Sequence, residues 1–165
     1  MRVIAFVVAL FLAGPAAAAD WKEYEYPDSS FTVHFPIDPT IEATTYRAPD
    51  GRSYEARIYS ALQDSGMFKL IVVDLPDGRS EESALVDHAV EAIRQTGAVK
   101  FDIPHRIRTT YGRQLGIAGP DGGYSYTAVF YHNKRLYHIE GKAFVGGWAT
   151  CIVIRTIGAP PPGMT

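Results

Sequence analysis

The clearest hydrophobic pattern in the chain covers residues 124–141. Two alternating runs, Y-S-Y-T-A-V-F-Y-H and R-L-Y-H-I-E-G, flank a short polar turn, and this arrangement predicts a β-hairpin. If His132 pairs with Arg135, then Phe130 lies opposite Tyr137, and residues at every second position share a face. One face of the predicted hairpin is therefore aromatic and aliphatic, and we expect it to lie in the core.

The opposite face of this hairpin is also too apolar to be left in water. It carries Val129, Tyr131, Leu136 and His138. Either another element covers these side chains, or they form an interaction surface for a partner or ligand. If the run W-A-T-C-I-V-I-R-T-I at residues 148–157 is a helix, it is the natural cover, whereas the surface stays open if the run is a strand. Its β-branched content favours a strand, whereas its length and position also suit a helix.

Other alternating or β-branched runs predict the rest of a mostly antiparallel sheet. They lie at residues 21–35 (a first hairpin), 41–47, 53–60, 67–75 and 99–117, the last divided by a bend near Tyr111-Gly112. The run at 67–75, M-F-K-L-I-V-V-D-L, is almost continuously apolar. We therefore expect it to be a strand that is buried on both faces near the middle of the sheet.

Residues 80–96 predict one clear helix. Ser80 can cap its start and Gly97 can close its end. The apolar positions at helical spacing are Leu85, Val86, Ala89, Val90 and Ile93. The pattern as a whole predicts an α+β fold: a mostly antiparallel sheet of about seven or eight strands, this helix, and a second helix at the C-terminus if 148–157 is helical.

The N-terminal residues have the features of a secretory signal peptide. Arg2 precedes an apolar run at residues 3–13, and Ala17-Ala18-Ala19 provides an A-x-A cleavage site. The apolar run is too short for a membrane span, which needs about 20 residues. We therefore expect residues 1–19 to be removed and the protein to be periplasmic or secreted, with no stable membrane insertion. The mature chain should be one globular domain over 20–157 with a disordered proline-rich tail over 158–165.

Composition and charge limit the partners. The 165 residues are 47% hydrophobic and 21% charged, as in an ordinary globular protein. Loss of residues 1–19 removes Arg2 and no acidic residue, so the formal net charge changes from −2 to −3. A mildly acidic chain without a basic tract is a poor nucleic-acid binder. Cys151 is the single cysteine, which excludes an internal disulfide, and its apolar neighbours favour a buried small side chain.

The sequence contains few candidate sites for chemistry. Arg106 and Arg108 share a face of a predicted strand, and Arg113 is nearby. The three are a possible anion site, although a solvated sheet face is the commoner arrangement. No histidine has a compact metal-ligand spacing, and neither G-x-S-x-G nor a phosphate loop occurs. We therefore predict no cofactor, no metal and no catalytic residue.

The segment Phe31-Thr32-Val33-His34-Phe35-Pro36, an F-x-V-x-F-P strand, is followed by a strand meander, one helix and a late aromatic hairpin. This layout resembles the PsbP-like and Mog-type α/β family. The resemblance implies an α/β/α sandwich and an accessory or binding role without shared catalytic residues, so no site residue is carried over. The β-rich run at 148–157 departs from the closing helix that the family would have there.

The expected function is that of an exported, non-enzymatic accessory or interaction module with an unknown protein partner. A first alternative is a binder of an apolar or sugar-like small molecule, because tyrosines crowd the hairpin and could line a groove. These tyrosines are Tyr124, Tyr126, Tyr131 and Tyr137. A second alternative is a hydrolase whose site forms only in the tertiary structure, which titratable residues clustered around a closed pocket would favour.

Overall fold

The structure is a computed structural model that describes residues 21–76, 81–107 and 109–147, and the backbone of 154–157. Its strands are β1 (Lys22–Tyr26), β2 (Phe31–Phe35), β3 (Thr40–Arg47), β4 (Ser53–Gln63), β5 (Gly66–Asp74), β6 (Ala98–Ile107), β7 (Thr110–Ala118), β8 (Tyr124–His132), β9 (Arg135–Ala143) and β10 (Ile154–Ile157), and its helix is α1 (Glu82–Arg94). No helix within these ranges is long and apolar enough to cross a membrane.

The strands form two antiparallel sheets. The large sheet has seven strands in the order β3-β4-β5-β9-β8-β7-β6, and the small sheet has three in the order β1-β2-β10. The chain thus makes one meander before α1 (β3 to β5) and a second meander after it (β6 to β9). The pairing of β5 with β9 joins the two meanders in the large sheet. The α+β class and the central position predicted for residues 67–75 are confirmed.

The central hairpin has the predicted register. His132 pairs with Arg135 and Phe130 pairs with Tyr137. Asn133 and Lys134 connect the strands, and both have positive φ, 48° and 61°. Two left-handed residues make the tight turn whose twist matches that of the flanking strands.

The small sheet covers one face of the large sheet, which we call the small-sheet face. The core between them includes Phe35, Leu70 and Phe130, each 0% exposed. Tyr137 reaches across this core, and its hydroxyl donates a hydrogen bond to the carbonyl of Ser29 at 3.1 Å. Because that hydroxyl has a partner, burial of the large ring gains apolar contact without leaving a polar atom unsatisfied.

Helix α1 covers the opposite face, which we call the helix face. Its buried residues are Leu85, Val86, Ala89, Val90 and Ile93, as the helical pattern predicted. They pack against Val129 and Leu136, which are 0% and 1% exposed. The outer face of the hairpin is therefore covered by α1, whereas residues 154–157 of the C-terminal run pair with β2 in the small sheet.

The C-terminal run contains a strand where the structure describes it. Residues 154–157 form β10, and Ile157 pairs with Phe31 of β2. A helix over 148–157 is therefore not confirmed. The predictions for residues 1–19, for Cys151 and for the tail at 158–165 lie outside the described residues.

Two glycines differ from their predicted roles. The turn between β6 and β7 lies between Ile107 and Thr110, so Gly112 is inside a strand rather than at the bend. A Cβ on Gly112 would collide with Phe130 and with the carbonyl of Val129. Gly97 likewise gives room to the carbonyl of Ala118, whereas the helix is capped at Gln95 with right-handed geometry. Both glycines permit close packing, and neither has the positive φ of a helix-closing or tight-turn glycine.

Candidate functional site

The predicted interaction surface is not available to a partner. Val129 and Leu136 are buried under α1, so the prediction that they belong to an interaction surface is wrong. Tyr131 packs against the same cluster, and burial raises the pKa of its hydroxyl, with a smaller contribution from Glu82. The fourth residue, His138, lies further along β9, where it lines a cleft.

In the predicted anion site, the structure contradicts the role of Arg113. Nε and Nη2 of Arg113 donate hydrogen bonds to Asp102 at 2.9 and 2.6 Å. Arg94 of α1 binds the other oxygen of the same carboxylate, at 3.1 and 2.5 Å. Asp102 thus ties the helix to β6 and β7, and the Arg113 guanidinium is engaged within the protein. Arg106 is exposed on β6, and Arg108 lies outside the described residues.

A cleft of about 370 Å³ opens on the helix face near the C-terminal end of α1. Its polar side chains come mainly from β5, β8 and β9, which are neighbours in the large sheet. Lys69 Nζ lies 2.5 Å from Glu140 Oε2, and Ser125 Oγ donates to Glu140 Oε1 at 3.0 Å. At the rim, Lys142 Nζ lies 2.5 Å from Asp121 Oδ2. The cleft therefore contains two ion pairs side by side.

The charge states of the cleft follow from these contacts. Burial acts to raise the pKa of Glu140, but the charge and hydrogen bond of Lys69, together with smaller contributions from His138 and the Ser125 hydroxyl, outweigh it, and the pKa is lowered overall. Burial lowers the pKa of His138 to about 4, against the attraction of Glu140. His138 is therefore neutral at pH 7 while Glu140 is ionised. The Nε2 atom of His138 is sealed from solvent and has no hydrogen-bond partner in the described part of the chain.

The cleft brings titratable groups together, as the hydrolase alternative requires, but it does not activate a nucleophile. The Ser125 hydroxyl donates a hydrogen bond to a carboxylate that Lys69 already stabilises as an anion. A carboxylate with a lowered pKa is a weak general base, since catalytic bases work best with a pKa near the working pH. The geometry favours binding over acyl transfer. Among the described residues, no group of three or more His, Cys, Asp or Glu side chains could hold a metal ion.

A second candidate lies on the small-sheet face, at the far end of the large sheet. Phe101 and Tyr126 flank Gly116 on neighbouring strands, with ring centroids 6.1 Å apart. Tyr124 follows on β8, 4.9 Å from Tyr126. A Cβ on Gly116 would collide with the Tyr124 hydroxyl and the Phe101 ring, so this glycine lets both side chains approach the sheet closely.

We call the residues Phe101, Ile103, Tyr124 and Tyr126 the aromatic platform. Neither of the two core clusters includes any of them. Ile103 is 48% exposed and the three aromatic residues are half-buried. Two of the tyrosines that the sequence singled out thus lie together on this surface, whereas Tyr131 packs against the core under α1 and Tyr137 lies within the core beneath the small sheet.

Sequence reasoning did not find the ion pair of the cleft. Lys69 and Glu140 belong to different meanders, and only the β5–β9 pairing places them opposite each other. A local signal existed, since each is a charged residue inside a strand whose neighbours are apolar. Such a residue is rarely buried without a partner. The sequence therefore indicates that Lys69 and Glu140 each have a partner, but it does not indicate which residue that partner is.

Comparisons with known proteins give little further information. No protein-family model and no curated protein matches the chain. Among solved structures, the chain is similar to PA94 from Pseudomonas aeruginosa, a protein of unknown function that has been suggested to be a regulator. The identity is 11%, the TM-score is 0.41, and the match covers 76% of this chain and 84% of that chain. A likeness at this level carries no argument, and the resemblance to the PsbP-like and Mog-type family stays a prediction.

Proposed function

We propose that this protein is an exported, non-enzymatic interaction module that binds an apolar segment of a partner protein on the aromatic platform. The observation that carries the proposal is the platform itself, three aromatic rings and an exposed isoleucine that belong to neither core cluster. Aromatic side chains are enriched at the buried centres of protein interfaces, because they remove a large apolar area from water at low entropy cost.

The chemistry of the platform favours a protein segment over a sugar-like ligand. A sugar presents many hydroxyls and is held by polar groups around a stacking ring. On the platform, Ile103 is aliphatic, and the Tyr124 hydroxyl lies over Gly116 rather than towards solvent. Burial also raises the pKa of Tyr124. With its hydroxyl turned inward, Tyr124 presents mainly its ring, which suits an apolar partner.

The partner is expected to dock on the face of the sheet and not along its edge. Strand β6 is the edge strand beside the platform. It contains Pro104, which has no backbone N–H to offer, and it carries the charged residues Lys100, Asp102 and Arg106. Proline and charge on an edge strand disfavour the addition of a further strand. Side-chain contacts with the platform are therefore the main source of affinity.

Export rests on the sequence of residues 1–19. We expect the mature protein to begin at Asp20, because the A-x-A site at residues 17–19 lies between the apolar run and the first aromatic residue, Trp21. Mass spectrometry of the full-length gene product, purified from the cell envelope or medium of a bacterial host, measures this start. Retention of residues 1–19 on the folded protein would contradict cleavage and, with it, the export part of the proposal.

The platform is tested by site-specific photo-crosslinking in living cells. A crosslinker at Ile103 is expected to capture a defined protein, whereas one at Leu62, which is 65% exposed on β4, should not. The captured protein is then purified, and its affinity is measured for the parent and for the Ile103→Ser/Tyr126→Ser variant. We expect a loss of about tenfold or more, since central aromatic contacts dominate interface energies.

The matched control for this test is Leu62→Ser, which removes an exposed apolar side chain away from the platform. It should bind the captured protein as the parent does. Equal crosslinking at both positions, or unchanged affinity of the platform variant, would refute docking on this face. Binding of a carbohydrate in place of a protein, with the same sensitivity to the platform variant, would select the small-molecule alternative.

A further inference from the structure

We propose that the cleft near the C-terminal end of α1 binds a small zwitterion of the amino-acid class. This site is separate from the aromatic platform, because the two lie on opposite faces of the large sheet. Strand β8 shows the separation directly: Tyr124 and Tyr126 belong to the platform, and Ser125 between them lines the cleft. Side chains of consecutive residues in a strand point to opposite faces.

The charges of the cleft match a ligand that carries both signs. Lys69 is paired with Glu140, and Lys142 with Asp121, so positive and negative groups are equal in number. Each ammonium has three N–H donors and each carboxylate about four acceptor positions, and the contacts within the cleft use only some of them. A carboxylate of the ligand can therefore bind the spare lysine donors while an ammonium binds the spare carboxylate lone pairs.

The spacing of the two ion pairs suits one molecule that bridges them. Glu140 and Lys142 are two residues apart on β9, so they share a face at a separation of about 7 Å. The C-terminal end of α1 also favours the ammonium group of a ligand, because the last carbonyls of a helix carry partial negative charge. Ile93, in the last turn of α1, contributes to the wall of the cleft.

The rest of the wall is apolar. Ile93, Ile117 and Pro120 line the cleft beside the charged groups. They offer a surface for an aliphatic side chain, and a volume of about 370 Å³ is at the small end of the range for ligand pockets. The size and the mixed wall favour an aliphatic amino acid over a peptide or a nucleotide.

The inner ion pair is hard to explain by stability alone. The side chains of Lys69 and Glu140 are 24% and 15% exposed, so both charges have lost much of their hydration. A buried ion pair of this kind contributes little net stability, and an apolar pair of similar volume is often as good or better. Charged groups kept at the floor of a cleft are a feature of functional sites.

The test is isothermal titration calorimetry of the mature protein with leucine and two derivatives of it. Leucine methyl ester keeps only the ammonium, and N-acetyl-leucine keeps only the carboxylate. We expect leucine to bind and both derivatives to bind about tenfold or more weakly, because each loses one of the two charged contacts. Binding of either derivative as tightly as leucine would refute the zwitterion site, as would the absence of binding by leucine, isoleucine, valine and alanine alike.

A pair of charge-removing variants locates the binding. Lys142→Gln/Asp121→Asn removes the rim pair, in which Asp121 is 53% exposed, and the amide oxygen can still accept the hydrogen bond from the Gly123 amide. This variant should fold normally and bind leucine about tenfold more weakly. The control is Lys22→Gln/Asp38→Asn, an exposed pair on the small-sheet side, which should bind as the parent does.

The results of these variants are independent of the platform. If the rim variant binds leucine as the parent does, or if the control variant loses affinity equally, the ligand binds elsewhere and the proposal fails. The platform variant Ile103→Ser/Tyr126→Ser should leave leucine binding unchanged, because it alters the other face of the sheet. Failure of the interaction-module proposal and failure of the cleft proposal are thus separate outcomes.

Discussion

Leu70→Asp is expected to leave no cooperatively folded protein. Leu70 is 0% exposed in the middle of the large sheet. It lies between Tyr59 of β4 and Ile139 of β9, which are themselves buried. Neither residue opposite this position is charged, so the burial of a carboxylate there would cost several kcal/mol. That cost is comparable to the whole stability of a domain, about 5–15 kcal/mol.

Circular dichroism with thermal unfolding measures this effect. The control is Leu62→Asp, which places the same charge at a residue of β4 that is 65% exposed, and we expect its unfolding temperature to stay close to that of the parent. Val72 is another buried residue of β5, but it lies opposite Arg57, whose charge could pair with a new carboxylate. Leu70 is therefore the sharper test. A Leu70→Asp protein that unfolds cooperatively would show that β5 is not in the centre of the core.

The local elements could be predicted from the sequence because their signals are local. The hairpin of β8 and β9 has two alternating runs and a two-residue turn, and these set its register without help from other strands. The helix follows from apolar residues at helical spacing, and all five predicted core positions are buried. The almost continuous apolar run of β5 likewise predicted its place inside the sheet.

The arrangement of covering elements could not be predicted in the same way. The run at 148–157 was a candidate to cover the outer face of the hairpin, yet α1 packs there, mainly over the β7–β8–β9 part of the sheet. The choice depends on how the two meanders join at β5 and β9, which is a long-range pairing with no local signal. Because α1 packs on this part of the sheet, Val129 and Leu136, which were candidates for an interaction surface, lie in the core.

The candidate sites were predictable only in part, for a related reason. Tyr124 and Tyr126 were identified as a tyrosine-rich face, but Phe101 joins them only through the pairing of β6 with β7 and of β7 with β8. Gly116 lies in β7 beneath the rings, where only the tertiary structure shows why a glycine is needed. The polar side chains of the cleft come from both meanders, from β5 in the first and from β8 and β9 in the second. A pattern confined to one segment cannot indicate such a site.

His138 gives the protein a stability that depends on pH. Its folded pKa is about 4, below the ordinary value of 6.5, mainly because of burial. Between these values the unfolded chain binds a proton that the folded protein does not, so acid favours unfolding. The contribution is fully present above pH 6.5 and is lost as the pH falls towards 4. At 1.36 kcal/mol per pKa unit, the loss is on the order of 3 kcal/mol.

Other groups around His138 act in a different pH range or keep their charge. Lys69 on β5 opposes protonation of the ring, and Glu140 on β9 favours it. The lowered pKa of Glu140 adds its own loss of stability, which begins only as the pH falls below the ordinary value of 4.5. Acid destabilisation between pH 6.5 and 4.5 should therefore come largely from His138.

His138→Phe is expected to remove most of this acid sensitivity. Phenylalanine keeps a planar ring at the site and cannot take up a proton, so the variant should lose much less stability than the parent between pH 7.5 and 4.5. At pH 7.5 it should be at least as stable as the parent, because it replaces an Nε2 atom that is buried and has no partner among the described residues.

Urea unfolding of parent and variant at pH 7.5, 5.5 and 4.5 measures the difference. His88→Asn is the control: His88 is exposed on α1, and its replacement should leave the pH dependence of the parent unchanged. A His138→Phe protein with the same acid sensitivity as the parent would mean that the histidine is protonated in the folded state. The cleft would then carry an additional positive charge in mild acid, and it would favour an anion over the neutral zwitterion that its two ion pairs match at neutral pH.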